Sequence, residues 1–125
     1  MKIIKRSNIK DEDRGGYIIK RLLTKEFDNL PENVGFYETT IPKGSKCKEQ
    51  WHKKSYEAVY FLTSGTAKID GKEHRLNQGD LVVLDPNEKH EWLADENEVK
   101  MFAMRFPNLL DDKYTTEEEK NVAKK

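Results

Sequence analysis

Between residues 34 and 106 apolar and polar side chains alternate in short runs separated by turn residues, the period-two signature of strands that bury one face. The runs predict strands over 34–41, 46–52, 56–63, 66–69, 72–76, 81–84, 90–94 and 99–106. Pro42-Lys43-Gly44, Ser64-Gly65, Asn77-Gln78-Gly79-Asp80 and Asp85-Pro86-Asn87-Glu88 mark the turns, and Asp70-Gly71 is a type I′ hairpin signal. The run 81–84 is apolar throughout and fits the centre of a sheet. Short antiparallel strands at this spacing predict an all-β chain, either a sandwich or a small antiparallel β-barrel or jelly roll.

The two ends read differently. Residues 1–7 predict a short edge strand, 8–14 a polar loop, 17–23 a further strand or, with Leu22 and Leu23 adjacent, a helical turn, and 27–33, with Pro31, another loop. This extension, 1–33, is expected to cover a sheet edge or to pair with a second subunit. Residues 107–125 form a charged tail with almost no apolar stripe. Thr115 with Glu118, or Thr116 with Glu119, can form a capping box, so a short fraying C-terminal helix or a disordered tail is expected. The barrel proper is residues 34–106.

Composition narrows the partners. At 125 residues the chain supports one domain and one core. Charged residues make up 37%, but 23 basic side chains balance 23 acidic ones, so no net field draws the chain to nucleic acid or an anionic membrane. Cys47 is the single cysteine, which fits a reducing cytoplasm and excludes an intrachain disulfide. Ile3 and Ile4 between lysines are too little for a signal peptide, and the longest apolar run, 58–62, spans no bilayer. A cytoplasmic homodimer, associated through edge strands, is the expectation.

The candidate chemistry centres on residues 50–57, Gln-Trp-His-Lys-Lys-Ser-Tyr-Glu. Alternation puts Gln50 and His52 on one face; Glu57 returns on the next strand, and His90 arrives from a later hairpin. Two imidazoles, a carboxylate and an amide oxygen suit a divalent transition metal (Zn, Mn, Fe, Ni or Co), with room left for water or substrate. Glu57 shares its parity with Val59 and Phe61, so it is expected to be semi-buried and to need a cation. Lys48 shares the parity of Gln50 and His52 and is expected to reach the pocket, where it and Arg105 would meet a phosphate or carboxylate. Tyr37, Glu38 and Tyr60 are the acid/base candidates; Lys48, Arg105 and Tyr60 are the expected catalytic residues. Trp92, two residues after His90, is expected to wall the pocket, while parity points Trp51 and Cys47 away from it and His74 lies in a remote hairpin.

These residues carry a resemblance. Gly44, Gln50, His52, Glu57 and Gly65 together resemble the first cupin motif, with glutamine in place of its first histidine, and Gly79 through Pro86 to His90 resembles the second. Asn87 stands where that family usually has glycine, and asparagine tolerates the left-handed backbone such a turn requires. Glu57 lies eight residues before Gly65, one more than the family spacing, which predicts a bulge or a displaced ligand. The set Gln50, His52, Glu57, His90, with Ser64-Gly65-Thr66-Ala67-Lys68, is similar to the cupin domain of mannose-6-phosphate isomerases. The resemblance implies a jelly-roll barrel and a metal-dependent sugar or sugar-phosphate isomerase or epimerase taking a small sugar-like ligand. Cupins host many chemistries, so a non-haem metal dioxygenase and a non-catalytic carbohydrate- or small-ligand-binding cupin are the competing readings.

Overall fold

A computed structural model describes residues 1–13, 15, 18–19, 21–22, 34–109 and 111–116. Its strands are β1 (Lys2–Ile4), β2 (Glu12–Asp13), β3 (Ile18–Ile19), β4 (Gly35–Ile41), β5 (Lys46–Trp51), β6 (Tyr56–Phe61), β7 (Gly65–Ile69), β8 (Lys72–Leu76), β9 (Leu81–Leu84), β10 (His90–Leu93), β11 (Val99–Phe106) and β12 (Tyr114–Thr115). Two five-stranded sheets run β1-β9-β6-β11-β4 and β12-β5-β10-β7-β8, and β2 pairs with β3. All pairings are antiparallel. The expected jelly roll is present.

Period-two patterning builds the space between the sheets. Val99, Met101 and Ala103 of β11 point inward while Lys100 and Phe102 point out, and Ala67 and Ile69 of β7 follow the same rule. Phe61, Leu76 and Val82 reach zero exposure in this inner cluster, each contributing roughly 1.5–3 kcal/mol by burial. The strand β9 is buried on both faces for a second reason. Val82 and Leu84 enter the inner cluster, whereas Leu81 and Val83 join Ile4, Ala58 and Phe106 in an outer one. The N-terminal extension therefore covers the outer face of the first sheet: β1 pairs with β9, and Ile9 and Leu22 pack on the outer cluster.

The turns behave as their residues dictate. Asp70 and Gly71 both have positive φ, 49° and 84°, as a type I′ turn demands. Asn87 has φ 71°, the left-handed conformation expected of it. Strand β6 pairs without interruption with both β9 and β11. The extra residue between Glu57 and Gly65 is thus absorbed in the connection 62–64 rather than in a bulge of β6. Among the described residues no helix is long and apolar enough to cross a membrane. The expected loop 27–33 and most of the expected C-terminal helix lie outside the described residues.

Candidate metal centre

Strand β5 belongs to the second sheet and β6 to the first, so residues 52–55 turn the corner between sheets. His52 sits just past the end of β5, Glu57 near the start of β6, and His90 at the start of β10, directly opposite Gln50. This crossing brings three distant side chains together. The donor atoms of His52, Glu57 and His90 lie within 4.8 Å of one another, close to the roughly 4 Å span of two metal–ligand bonds. All three residues are buried, at 3%, 4% and 1% exposure.

The imidazoles are oriented from behind. His52 Nδ1 donates to the Asp112 carbonyl at 2.9 Å, and His90 Nδ1 donates to the Glu88 carbonyl at 3.1 Å. Both Nε2 lone pairs therefore face the cluster, and neither Nε2 has a hydrogen-bond partner. His52 Nε2 approaches Glu57 Oε2 to 3.1 Å without hydrogen-bond geometry. Two buried, partnerless ring nitrogens converging on a carboxylate are what a metal ion would satisfy, and back-side carbonyls are the usual support of histidine ligands. The donor set fits a divalent transition metal.

Electrostatics agree with that fit. Burial pushes the Glu57 carboxyl up, but His52, His90 and Arg105 outweigh it, and its pKa falls below the ordinary carboxylate value. Burial lowers the pKa of His90 against the opposing pull of Glu57, which keeps its imidazole neutral. An anionic carboxylate and a neutral imidazole are the states that ligate.

A cavity of about 330 Å³ opens beside Glu57. Gln50, Arg105, Tyr37 and Lys113 supply its polar lining and Val59, Trp92 and Met101 its apolar wall. Gln50 is 8% exposed, and its amide donates to Cys47 Sγ at 3.8 Å. Arg105 pairs across the ladder with Glu57, placing Nη2 and Nε at 3.2 and 3.3 Å from Oε2, and lies 5.0 Å from the centre of the Tyr37 ring. Trp92 walls the cavity as expected, 5.2 Å from the His90 ring.

Three expectations need correction. Cys47 lines the cavity beside Gln50 instead of facing away, because β5 carries three residues from Cys47 to Gln50 against two from His90 to Trp92. That bulge reverses the side-chain parity of everything before it. Lys48, by the same reversal, is exposed and does not line the cavity. Burial pushes the Cys47 thiol up, so the residue is a neutral wall group. Tyr60 is three residues from Glu57 on an unbroken strand and faces the outer cluster, beside a separate recess with Arg6, Gln78 and Gly79.

The tail contributes what the sequence reading missed. Asp112, 3% exposed, accepts from the backbone N–H groups of Lys53, Lys54 and Ser55 and from Ser55 Oγ. It thereby fixes the corner that carries His52. Trp51 is buried as Tyr114 stacks on it at 6.2 Å and Lys89 lies 4.6 Å from its ring.

With this geometry in place, comparison with known proteins gives the family. Residues 37–104, just over half of the chain, match the cupin domain. The chain belongs to the cupin family. Among curated proteins there is no significant sequence match. Solved structures share the fold at low identity. A cupin protein from Bacteroides fragilis is 21% identical, with a TM-score of 0.57 over 66% of this cupin and 73% of that chain. A putative sugar phosphate isomerase from Acidithiobacillus ferrooxidans is 20% identical, with a TM-score of 0.61 over 69% of this cupin and 58% of that chain. Streptomyces PAC13, a histidine-to-glutamine variant solved with uridine, is 11% identical, with a TM-score of 0.60 over 90% of this cupin and 88% of that chain.

Proposed function

We propose that this cupin is a metal-dependent isomerase or epimerase of a small sugar or sugar phosphate. The observation that carries the reading is the pair of buried, partnerless Nε2 atoms of His52 and His90 converging with Glu57 at a cavity with polar walls. His52, Glu57 and His90 would hold the ion, with Gln50 at the adjoining wall as the fourth donor. Bound there, a divalent ion supplies Lewis acidity toward carbonyl and hydroxyl oxygens. Arg105 and Lys113 hold a phosphate or carboxylate of the ligand, and Trp92, Val59 and Met101 exclude water from its carbon skeleton. Of the acid/base candidates Tyr37 lines the cavity, so proton movement is assigned to its hydroxyl, which now donates to Asn108 Oδ1. The fold-level likeness to a putative sugar phosphate isomerase is consistent with this reading.

The test is turnover of metal-loaded protein on a panel of phosphorylated aldoses and ketoses in deuterated water, read by NMR. Interconversion or carbon-bound deuterium, lost in Glu57→Ala, is the expected result. No exchange on any member at full metal loading would remove the isomerase reading.

One observation favours a second reading, a non-catalytic cupin that binds a small anionic ligand. Arg105 already neutralises Glu57. Ligand binding without turnover, and without any requirement for metal, would select it. A homodimer would use β4, which borders only β11 among the described residues and exposes Phe36 stacked on Phe102. Light scattering on the eluting protein decides the oligomeric state.

A further inference from the structure

We infer that Arg105 is an exchangeable counter-ion, paired with Glu57 until a metal takes the carboxylate and then transferred to an anionic group of the ligand, so that metal and anion bind cooperatively. The inference rests on the metal-site reading above and adds the exchange of Arg105 between Glu57 and the ligand, which couples the two binding events.

The geometry requires a choice at Glu57. Its Oε2 faces the Arg105 guanidinium at 3.2 and 3.3 Å and His52 Nε2 at 3.1 Å. The oxygen that Arg105 engages is the one turned toward the imidazole cluster. A cation on His52, Glu57 and His90 withdraws electron density from that oxygen and repels the guanidinium. Arg105 is 16% exposed and has no room to shed its charge, since guanidinium stays protonated. A half-buried cation deprived of its carboxylate needs a replacement, and the adjoining cavity is where one can arrive.

The charge balance of the cavity points the same way. Its lining carries two cations, Arg105 and Lys113, against the single carboxylate of Glu57. Adding a divalent ion raises the positive excess, and an anionic ligand is what offsets it. Arg105 is held ready by the Tyr37 ring beneath it, a contact that does not depend on Glu57. A planar guanidinium suits phosphate and carboxylate alike, so the shared chemistry is an oxyanion attached to a hydroxylated carbon chain.

The experiment measures Co(II) affinity of the full chain by competition with a chromophoric chelator, in glycerol, in glycerol 1-phosphate and in glycerate. In the wild type the anionic polyols tighten Co(II) binding by about tenfold over glycerol, and Co(II) tightens their binding by the same factor. A response to one anion alone assigns the oxyanion as phosphate or carboxylate. Arg105→Gln, its fold checked by circular dichroism, binds Co(II) more tightly in glycerol and loses the anion effect. Arg105→Lys, which keeps the charge, retains part of it. Lys100→Gln, on the outward face of β11 and outside the cavity lining, leaves the coupling unchanged. Equal Co(II) affinity in all three media, unchanged coupling in Arg105→Gln, or an equal loss in Lys100→Gln overturns the inference and leaves the metal site standing. Failure of both wild type and Arg105→Gln to bind Co(II) overturns the metal site and the inference together.

Discussion

His52 Nδ1 donates to the carbonyl of Asp112, a residue 60 positions later in the chain, at 2.9 Å. The same aspartate collects three backbone N–H groups at residues 53–55, so one residue of the C-terminal segment sets both the corner and the tautomer that turns the His52 Nε2 lone pair toward Glu57.

Replacing Asp112 by alanine leaves those N–H groups without their acceptor, while Ser55 Oγ keeps the Pro107 carbonyl. Hydrogen bonds to a charged group are the strong ones, and the expected loss is roughly 3 kcal/mol, a fall in Tm of roughly 10 °C. Asp112→Asn, which keeps one acceptor oxygen, should lose about half as much. Thermal and urea denaturation of the three proteins measures it, and a loss within about 0.5 kcal/mol would contradict the role.

Asn87 turns the chain into β10 with φ 71°, and its N–H donates to the His52 carbonyl at 2.6 Å. A β-branched residue in that conformation costs about 1–2 kcal/mol, whereas glycine enters it freely. Asn87→Val should therefore lower stability by about that amount and Asn87→Gly should leave it nearly unchanged, as read from urea midpoints.

Asp80 ties the N-terminal segment to the barrel. It accepts from Lys5 Nζ at 2.9 Å, from the Arg6 N–H at 3.1 Å and from the Asn77 N–H at 2.7 Å. Burial alone would raise its pKa, but these donors outweigh burial and hold it below the ordinary 3.8. A depressed carboxyl stabilises the fold while ionised, so its contribution is complete above pH 3.8 and is lost as pH falls through the lower, folded-state value. The unfolding free energy of the wild type should drop through this acid window more steeply than that of Asp80→Asn. Parallel curves below pH 4 would refute the assignment.

Much of this was readable before any coordinates. Strands β8, β9 and β11 have the bounds their residue runs predict, because each alternates cleanly or is flanked by strong turn residues such as Asp70-Gly71. His52, Glu57 and His90 were legible through motif spacing, and they converge. The misplacements of Cys47 and Lys48 share one cause. Parity arguments assume an unbroken ladder, and the extra residue of β5 between Cys47 and Gln50 left no mark in the residue types. It inverted the expected sides of Cys47 and Lys48. Asp112 was illegible for another reason: nothing in the acidic pair Asp111-Asp112 distinguishes the carboxylate that caps a corner nearly sixty residues upstream from the one beside it.

The central claim is that His52, Glu57 and His90 form one cation site. Metal analysis of the full chain, stripped with chelator and titrated with Zn(II), Mn(II), Ni(II) or Co(II), tests it most directly. The account predicts one equivalent per chain for at least one of these ions, with a rise in Tm corresponding to about 2.7 kcal/mol at a hundredfold excess over Kd, and loss of both in His90→Ala. Substoichiometric binding of every ion, or full binding that survives His90→Ala, would contradict it.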